Sequence, residues 1–399
     1  MSSSNTYHKK KLIIILSRFP FPLEKGDKLR AYYQIVELSK FYNITLITTT
    51  DQKVHKSSID KLKPFCTTIH IFKLSKISIL VNTLFQFFTK KPFQIGYFYS
   101  SKINFTIQQI LNEVKPDHIY CQLIRVSEYV KNYHSCSKTI DYMDALSKGI
   151  ERRIEKAPIY SKWIFKLEAK KLAEYERKIF DYFENHVIIS DQDRNYIIHP
   201  ERKKIVCIPN GVDESFFESI DKTNEFELLF IGNLSYAPNI EAVQYINKNI
   251  LPYFNQQNKS IKLLISGATP TPLIHKIAQK NENIILTGWV NDIRNSYVRG
   301  KIFIAPMLIG TGLQNKLIEA MAMGIPCITT TLANNAIKAE NEISIIVADS
   351  PDEFNRAIEK LLTNHQFYET IALNGKLHVL NNFNWVNSSI KLQELFNNK

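Results

Sequence analysis

Short apolar runs recur along the chain with little polar alternation inside them, and helical patterns stand between them. In the first half the runs are Leu12–Ser17, Ile44–Thr49, Ile69–Leu74, His118–Gln122, Thr139–Met143, Val187–Ser190 and Ile205–Pro209. A strand that is apolar on both sides has to be covered on both faces, as in a parallel sheet. A second series starts at Phe226–Gly232 and continues through Ile261–Gly267, Ile284–Gly288, Ile302–Met307, Cys327–Thr330 and Ser344–Ala348. Helices are expected between them near 239–250, 271–280, 292–299, 314–323 and 352–363. The pattern predicts an α/β chain of two doubly wound, Rossmann-like domains, 1–209 and 225–380. A linker rich in turn formers and acids spans 210–224, and a last helix, 381–399, is expected to pack back toward the first domain.

In open sheets of this kind ligands collect outside the carboxyl ends of the strands. The stretch Ile304–Thr329 reads as buried strand, glycine turn, helix and buried strand. Gly310 and Gly312 permit a tight turn and close approach of a ligand. A helix opening near Leu313 or Gln314 presents free N–H groups and the positive end of its dipole to an anion. Lys316 adds a full charge. Glu319, three residues on and on the same helical face, is an acceptor-only group able to take hydrogen bonds from a ribose diol. The plainer alternative is a surface Lys316–Glu319 ion pair worth about 0.2–0.5 kcal/mol. After the first strand, the Pro-rich loop Ser17–Arg30 ends in Gly26 before a helix, where Arg30, one turn inside, is within reach of the same anion. An ordinary turn and N-cap is the other reading of that loop.

Charge is more telling divided than summed. Residues 1–210 hold 35 Lys+Arg and 20 Asp+Glu, net +15, and residues 211–399 hold 16 and 18, net −2. The basic half points to an anionic partner or to a solvated lysine-rich surface. Lys9-Lys10-Lys11 precedes an apolar run of only Leu12–Leu16, too short for a signal segment or a span. Five scattered cysteines without Cys-x-x-Cys suggest neither a disulfide framework nor a zinc knuckle, which fits a reducing cytoplasm. Asp191-Gln-Asp193 has the look of a metal motif, but Ser190-Asp-Gln-Asp193 ends a strand and opens a helix, a capping arrangement. The histidines form no His-x-x-x-His or carboxylate cluster, and no Gly-x-Gly-x-x-Gly follows either opening strand, so no metal, cofactor or dinucleotide is expected.

In combination, Phe19–Arg30, Ile208–Asp213, Phe230–Ser235, Gly288–Asp292, Gly310–Gly324 and Phe383-Asn-Trp385 resemble the retaining glycosyltransferases of the GT-B fold, family four. Within that family the block Gly312–Met321 is most similar to sugar transferases of exopolysaccharide clusters. The resemblance implies two Rossmann-like domains facing a central cleft. Glu319 then matches the second glutamate of a Glu-x7-Glu motif, which binds the donor ribose, and Thr311 stands where the first would be. Contact to the donor sugar passes to Thr311 or to the amides of Gly312 and Leu313, beside Gly310 and Gln314. The diphosphate loop of the family appears as Gly232–Asn239, with Asn233 and no cation, which leaves Lys316, helped by Arg30, to carry the phosphate charge. Gly288–Asp292, with Trp289 and Val290, matches the loop that reads the base. Gly26, Asp27 and Arg30 are assigned to the phosphate or acceptor side. Asp141-Tyr-Met-Asp144 has Met143 where the family often has histidine, and Asp144 is the candidate for orienting sugar or acceptor.

The activity implied is transfer of a hexose-type sugar from a nucleotide sugar to a glycan or lipid-linked acceptor in cell-surface polysaccharide synthesis. Lys316, Glu319 and Asp144 are its catalytic candidates, without a metal. A GT-B epimerase or hydrolase is the alternative within the fold, and a nucleic-acid-binding protein the alternative from charge, although no recognisable nucleic-acid module is present. A cytoplasmic enzyme peripheral to the membrane's inner face is expected. Ile77–Phe93 is a largely apolar helix-like stretch ending in paired lysines, and Lys148–Lys178 is a helical segment crowded with Lys, Arg, Tyr and Trp163. Together they read either as a surface facing anionic lipid or as a core-facing helix beside a solvated basic one.

Overall fold

A computed structural model describes residues 9–23, 25–257, 259–309 and 312–397. Two compact units divide the chain, Met1–Pro209 with Trp385–Lys399, and Asn210–Asn384. The first is built on β1 (Lys10–Leu16), β2 (Tyr42–Thr50), β3 (Thr68–Lys73), β4 (His118–Gln122), β5 (Ser137–Asp141), β6 (Asn185–Ile188) and β7 (Val206–Cys207). All neighbours pair in parallel, in the order β3-β2-β1-β4-β5-β6-β7. Successive side chains of a strand point to opposite faces, and both faces of β1 are buried. Leu12, Ile14 and Leu16 join one apolar cluster, while Ile13 and Ile15 join another.

The helix Trp385–Asn397 covers part of the first of these faces through Leu392 and Phe396. The Phe396 ring stacks on His118 at 4.2 Å and Trp385 stacks on Tyr33 at 5.1 Å. Burial pushes His118 down to about 3, so the imidazole is neutral inside this layer.

The second unit holds β8 (Phe226–Ile231), β9 (Leu263–Ser266), β10 (Ile284–Gly288), β11 (Gly300–Ala305), β12 (Cys327–Thr329) and β13 (Ile346–Val347), parallel in the order β10-β9-β8-β11-β12-β13. The segment 210–224, read from sequence as linker, packs on this unit: Val212 is buried in its core and donates its N–H to Phe383 O at 2.9 Å, and Phe216, Phe217 and Ile220 lie against the same core.

Some helices differ from the expected ones for local reasons. The pattern at 239–250 becomes Ala237–Tyr245, a π-helical turn Ile246–Ile250, and Leu251–Gln256. Pro252 has no N–H to give to the preceding turn, which accounts for the widened ladder just before it. Lys148–Lys178 is two helices, Leu146–Lys156 and Lys162–Phe180, parted at Pro158.

In each sheet the strand order reverses beside its opening strand, at β1/β4 and at β8/β11. Connections leave in opposite directions there, so the loops diverge and leave room for a ligand. At β8 the backbone is drawn tight. Gly267, at φ +143°, would place a Cβ 1.8 Å from Gly232 O, and a Cβ on Gly232 would lie 2.6 Å from Asn239 Nδ2. Only glycine fits this approach of two chain segments. Gly267→Ala is expected to cost about 2–5 kcal/mol, from strain plus overpacking, read from urea unfolding. An unchanged midpoint would show that the two loops are not locked together.

Candidate functional site

The second unit brings its polar groups together at its switch point. The helix after β11 runs from Asn315 to Ala322 with no side chain capping its first turn. Gln314 instead folds its Nε2 onto Gly312 O at 3.0 Å, and its carbonyl accepts from Leu317 N at 2.9 Å. The apolar face of this helix, Leu317, Ile318, Met321 and Ala322, is buried. That burial fixes the rotation of the helix and turns Lys316 toward Asn239 and Glu319 toward Tyr297.

The two charged groups do not pair with each other among the described residues. Lys316 Nζ donates to Asn239 Oδ1 and sits 5.5 Å from the Phe230 ring centroid. Burial drives its ammonium down to about 7, against the opposing pull of Glu319. Asn239 is buried and held in turn by its Nδ2, which donates to Asn233 O at 2.8 Å. Asn233 Oδ1 accepts from Ser235 N at 3.0 Å and from Thr269 Oγ1 at 2.9 Å. Glu319 Oε2 accepts from the Tyr297 hydroxyl at 2.9 Å, and burial raises this carboxyl despite that bond and the nearby lysine. Tyr297 is fully buried, and its single O–H is shared between Glu319 Oε2 and Lys316 O, which lies 3.1 Å away in the first turn of the helix.

Across the neighbouring loops, Gly267 N donates to Gly288 O at 2.9 Å, and Thr287 Oγ1 donates to Ser266 Oγ at 2.8 Å. Gly288 is at φ +68° and turns the chain into Trp289, which is 68 % exposed, and Val290, which is half-buried. Leu313 packs its side chain on the core, and Gly312 is half-buried. Gly310 and Thr311 lie outside the described residues.

In the first unit the loops after β1, β4 and β5 carry the other candidates. Arg30 is fully buried, its Nε 2.6 Å from Asp141 Oδ2. Asp141 also accepts from the Tyr120 hydroxyl, and from Met143 N at 2.8 Å. Arg30 was expected to help Lys316 with phosphate; its charge is instead matched by a buried carboxylate of its own unit. Asp27, in the first turn of the helix Gly26–Leu38, pairs with Arg18 at 2.7 Å, while Gly26 has open space around its Cβ position. Asp144, three residues beyond β5, is exposed, with Asp193 and Asp141 as nearby like charges. At Asp191–Asp193 the capping arrangement holds, with Ser190 Oγ accepting from Asp193 N at 3.1 Å and Asp191 paired with Arg194 at 2.8 Å. No group of three or more His, Cys, Asp or Glu among the described residues is placed to hold a metal ion.

Residues 225–364 match the family model of glycosyl transferases group 1. Over 94 % of its length the chain is 23 % identical to an uncharacterised 44.6 kDa protein in the cps region of Klebsiella pneumoniae, covering 96 % of that protein. It is 25 % identical to an Escherichia coli UDP-Gal:α-D-GlcNAc-diphosphoundecaprenol α-1,3-galactosyltransferase, over 53 % of this chain and 59 % of that one. Anabaena HepE, solved with UDP and glucose, superposes with a TM-score of 0.68 at 12 % identity, over 98 % of this chain and all of the other. The chain has the GT-B fold, and its second unit is similar to glycosyl transferases group 1.

The sequence singles out Lys316 and Glu319; the structure adds Tyr297 beside them, which the sequence does not single out. A tyrosine in a short polar helix, Arg294–Tyr297, carries no signal of its own in the sequence. Asn239 was noted only as the end of a loop lacking cations. The buried ion pair of Arg30 gives a direct test. Arg30→Ala leaves Asp141 buried without its cation and is expected to destabilise the enzyme by about 3–5 kcal/mol in urea, with nucleotide affinity of the folded fraction unchanged. Loss of affinity at unchanged stability would return Arg30 to the ligand side.

Proposed function

We propose that the enzyme moves a hexose, with retention at the anomeric carbon, from a nucleoside diphosphate sugar to a glycan or lipid-linked acceptor during cell-surface polysaccharide synthesis. One observation carries this reading: a desolvated ammonium, Lys316, whose described polar partner is the neutral Asn239, stands one helical turn from a carboxyl braced by Tyr297. The diphosphate is assigned to Lys316 and the uncapped amides of the helix, where charge and dipole add. The ribose hydroxyls are assigned to Glu319, which Tyr297 holds in place. Trp289 and Val290, beside the backbone turn at Gly288, are assigned to the base, and Asn233, Gly310, Thr311, Gly312, Leu313 and Gln314 to the donor's phosphate and sugar side. Asp144 is assigned to the acceptor or sugar hydroxyls, and Gly26 and Asp27 to the acceptor side.

The chemistry follows from charge. As the anomeric C–O bond breaks, the sugar becomes oxocarbenium-like and the diphosphate gains negative charge, which a fixed cation stabilises most in the transition state. Acceptor attack from the leaving-group face, with its proton passing to the departing phosphate oxygen, needs no protein nucleophile. The role given to UDP is supported by the complex of HepE with UDP and glucose and by the UDP-Gal donor of the E. coli relative. That relative's diphosphoundecaprenol-linked acceptor and the cps-region relative support the acceptor and the pathway class.

The pKa of Lys316 sets a sign. Its depression means that the free enzyme loses this proton as pH rises through about 7, whereas the unfolded chain keeps it until near the ordinary lysine value. Between those limits the unfolded state binds more protons, so this group's contribution to stability rises with pH. A bound diphosphate favours the ammonium and pulls the proton back. UDP binding above pH 7, measured calorimetrically in buffers of different ionisation enthalpy, is therefore expected to take up protons, and Lys316→Ala to abolish the uptake. Buffer-independent heats in the wild type would remove Lys316 from the phosphate.

Mutation separates the two roles. Glu319→Ala is expected to weaken UDP binding by about 1.5–3 kcal/mol. Lys316→Ala is expected to lower kcat by about 10²–10³-fold, the cost of one electrostatic donor, with activity undiminished by EDTA in the wild type. Wild-type kinetics in both variants would mean the site is elsewhere. UDP release from a thermal-shift-positive donor, followed with and without acceptor, distinguishes transfer from an epimerase or hydrolase, which consumes donor alone.

A further inference from the structure

We propose that one face of the first unit, centred on the helix Lys76–Phe85, docks on an anionic lipid bilayer. This rests on the transferase reading above and names the surface from which a lipid-linked acceptor would be drawn.

The helix is amphipathic the wrong way round for a core element. Ile77, Leu80, Val81, Leu84, Phe85 and Phe88 recur at three- and four-residue steps, the spacing of a core-facing stripe. Yet each is more than half exposed, from 51 % at Leu84 to 88 % at Phe88, and no residue of the helix is buried. The core-facing reading of this stretch is therefore excluded. The protein side of the helix is its polar side. Asn82 Nδ2 donates to Tyr99 O at 2.7 Å, Gln86 Nε2 donates to Asn82 O at 2.8 Å, and Lys171 Nζ donates to Thr89 O at 2.8 Å. Gly96 lets the next helix, Phe93–Phe98, approach closely, since a Cβ there would lie 2.6 Å from Asn82 O.

A second apolar group extends the same surface. Ile159, Tyr160 and Trp163 are 87 %, 80 % and 56 % exposed at the start of Lys162–Phe180, and the Trp163 ring lies 6.2 Å from that of Phe87. Exposed apolar side chains this numerous and contiguous mark an interaction surface rather than scattered exposure. Charge selects the partner. Residues 76–93 and 157–167 contain no Asp or Glu, and Lys76, Lys90, Lys162 and Lys166 form no ion pair among the described residues. Apolar insertion ringed by lysines complements anionic headgroups above acyl chains, with Trp163 and Tyr160 suited to the boundary. A second copy of this face would instead meet lysine with lysine, which opposes self-association through it. No helix among the described residues is long and apolar enough to cross a membrane, so the contact lies on the bilayer surface.

The full chain is tested by co-sedimentation with vesicles of phosphatidylcholine alone and of phosphatidylcholine with phosphatidylglycerol, following Trp emission. Wild type is expected to pellet only with the anionic vesicles, with a blue shift, and to be partly released by salt. The doubly substituted Leu84→Asp, Phe88→Asp protein is expected to stay in the supernatant, and Lys90→Glu with Lys166→Glu to lose most binding. All these positions are exposed, so the melting temperature and its increase with UDP are expected to match wild type in each. Vesicle binding that ignores the substitutions, no binding by wild type, or a wild-type dimer abolished by the aspartates would each overturn the proposal. A wild type that binds vesicles but shows no UDP shift would sink the donor assignment and leave the docking face standing.

Discussion

A parallel strand that is apolar on both sides can be buried only between two layers of helix, and this constraint organises each unit. It makes the chain alternate strand and helix, sends every connection over one face or the other, and forces a reversal of strand order beside β1 and beside β8. At the reversal the connections part, and the loops there have no strand neighbour to satisfy them. The charged and polar residues of the second unit collect at that place because it is where the backbone leaves room.

Two kinds of buried charge contrast within the molecule. Arg30 is matched by Asp141, with Tyr120 and Met143 N completing the carboxylate's bonds, so this pair holds β5 to the helix Gly26–Leu38. Such a pair specifies packing. Lys316 makes no ion-pair contact among the described residues, and the charge of nearby Glu319 only partly offsets its desolvation, so its ammonium is held less firmly. A cation left in that state is disposed to gain from an arriving anion, which is the electrostatic basis of the donor assignment. Glu319 and Tyr297 repeat the contrast on a smaller scale: the hydroxyl fixes one carboxylate oxygen and the orientation of the group.

The helix Lys76–Phe85 departs from the same organising constraint. Its polar side carries the hydrogen bonds that hold it to the unit, so its apolar side has nothing of that unit to cover. A stripe kept exposed against the hydrophobic effect needs a reason outside the unit. The acid-free run of lysines around it gives that reason a sign.

The chain's apolar runs determined much by themselves. The thirteen strands among the described residues, their grouping into two parallel sheets and the helix bearing Lys316 and Glu319 were readable because burial on both faces leaves an unbroken apolar signature, and because i to i+3 spacing fixes a shared helical face. The tertiary structure alone decided partners. Nothing local distinguishes an arginine that meets phosphate from one that meets Asp141, more than a hundred residues away. Tyr297 and Asn239 reach the site from other strands' connections, and the outward rotation of Lys76–Phe85 depends on hydrogen bonds to distant Tyr99 and Lys171. Periodicity reports that a residue has a face; which neighbour meets that face is set by contacts between segments far apart in the chain, and these exist only once it has folded.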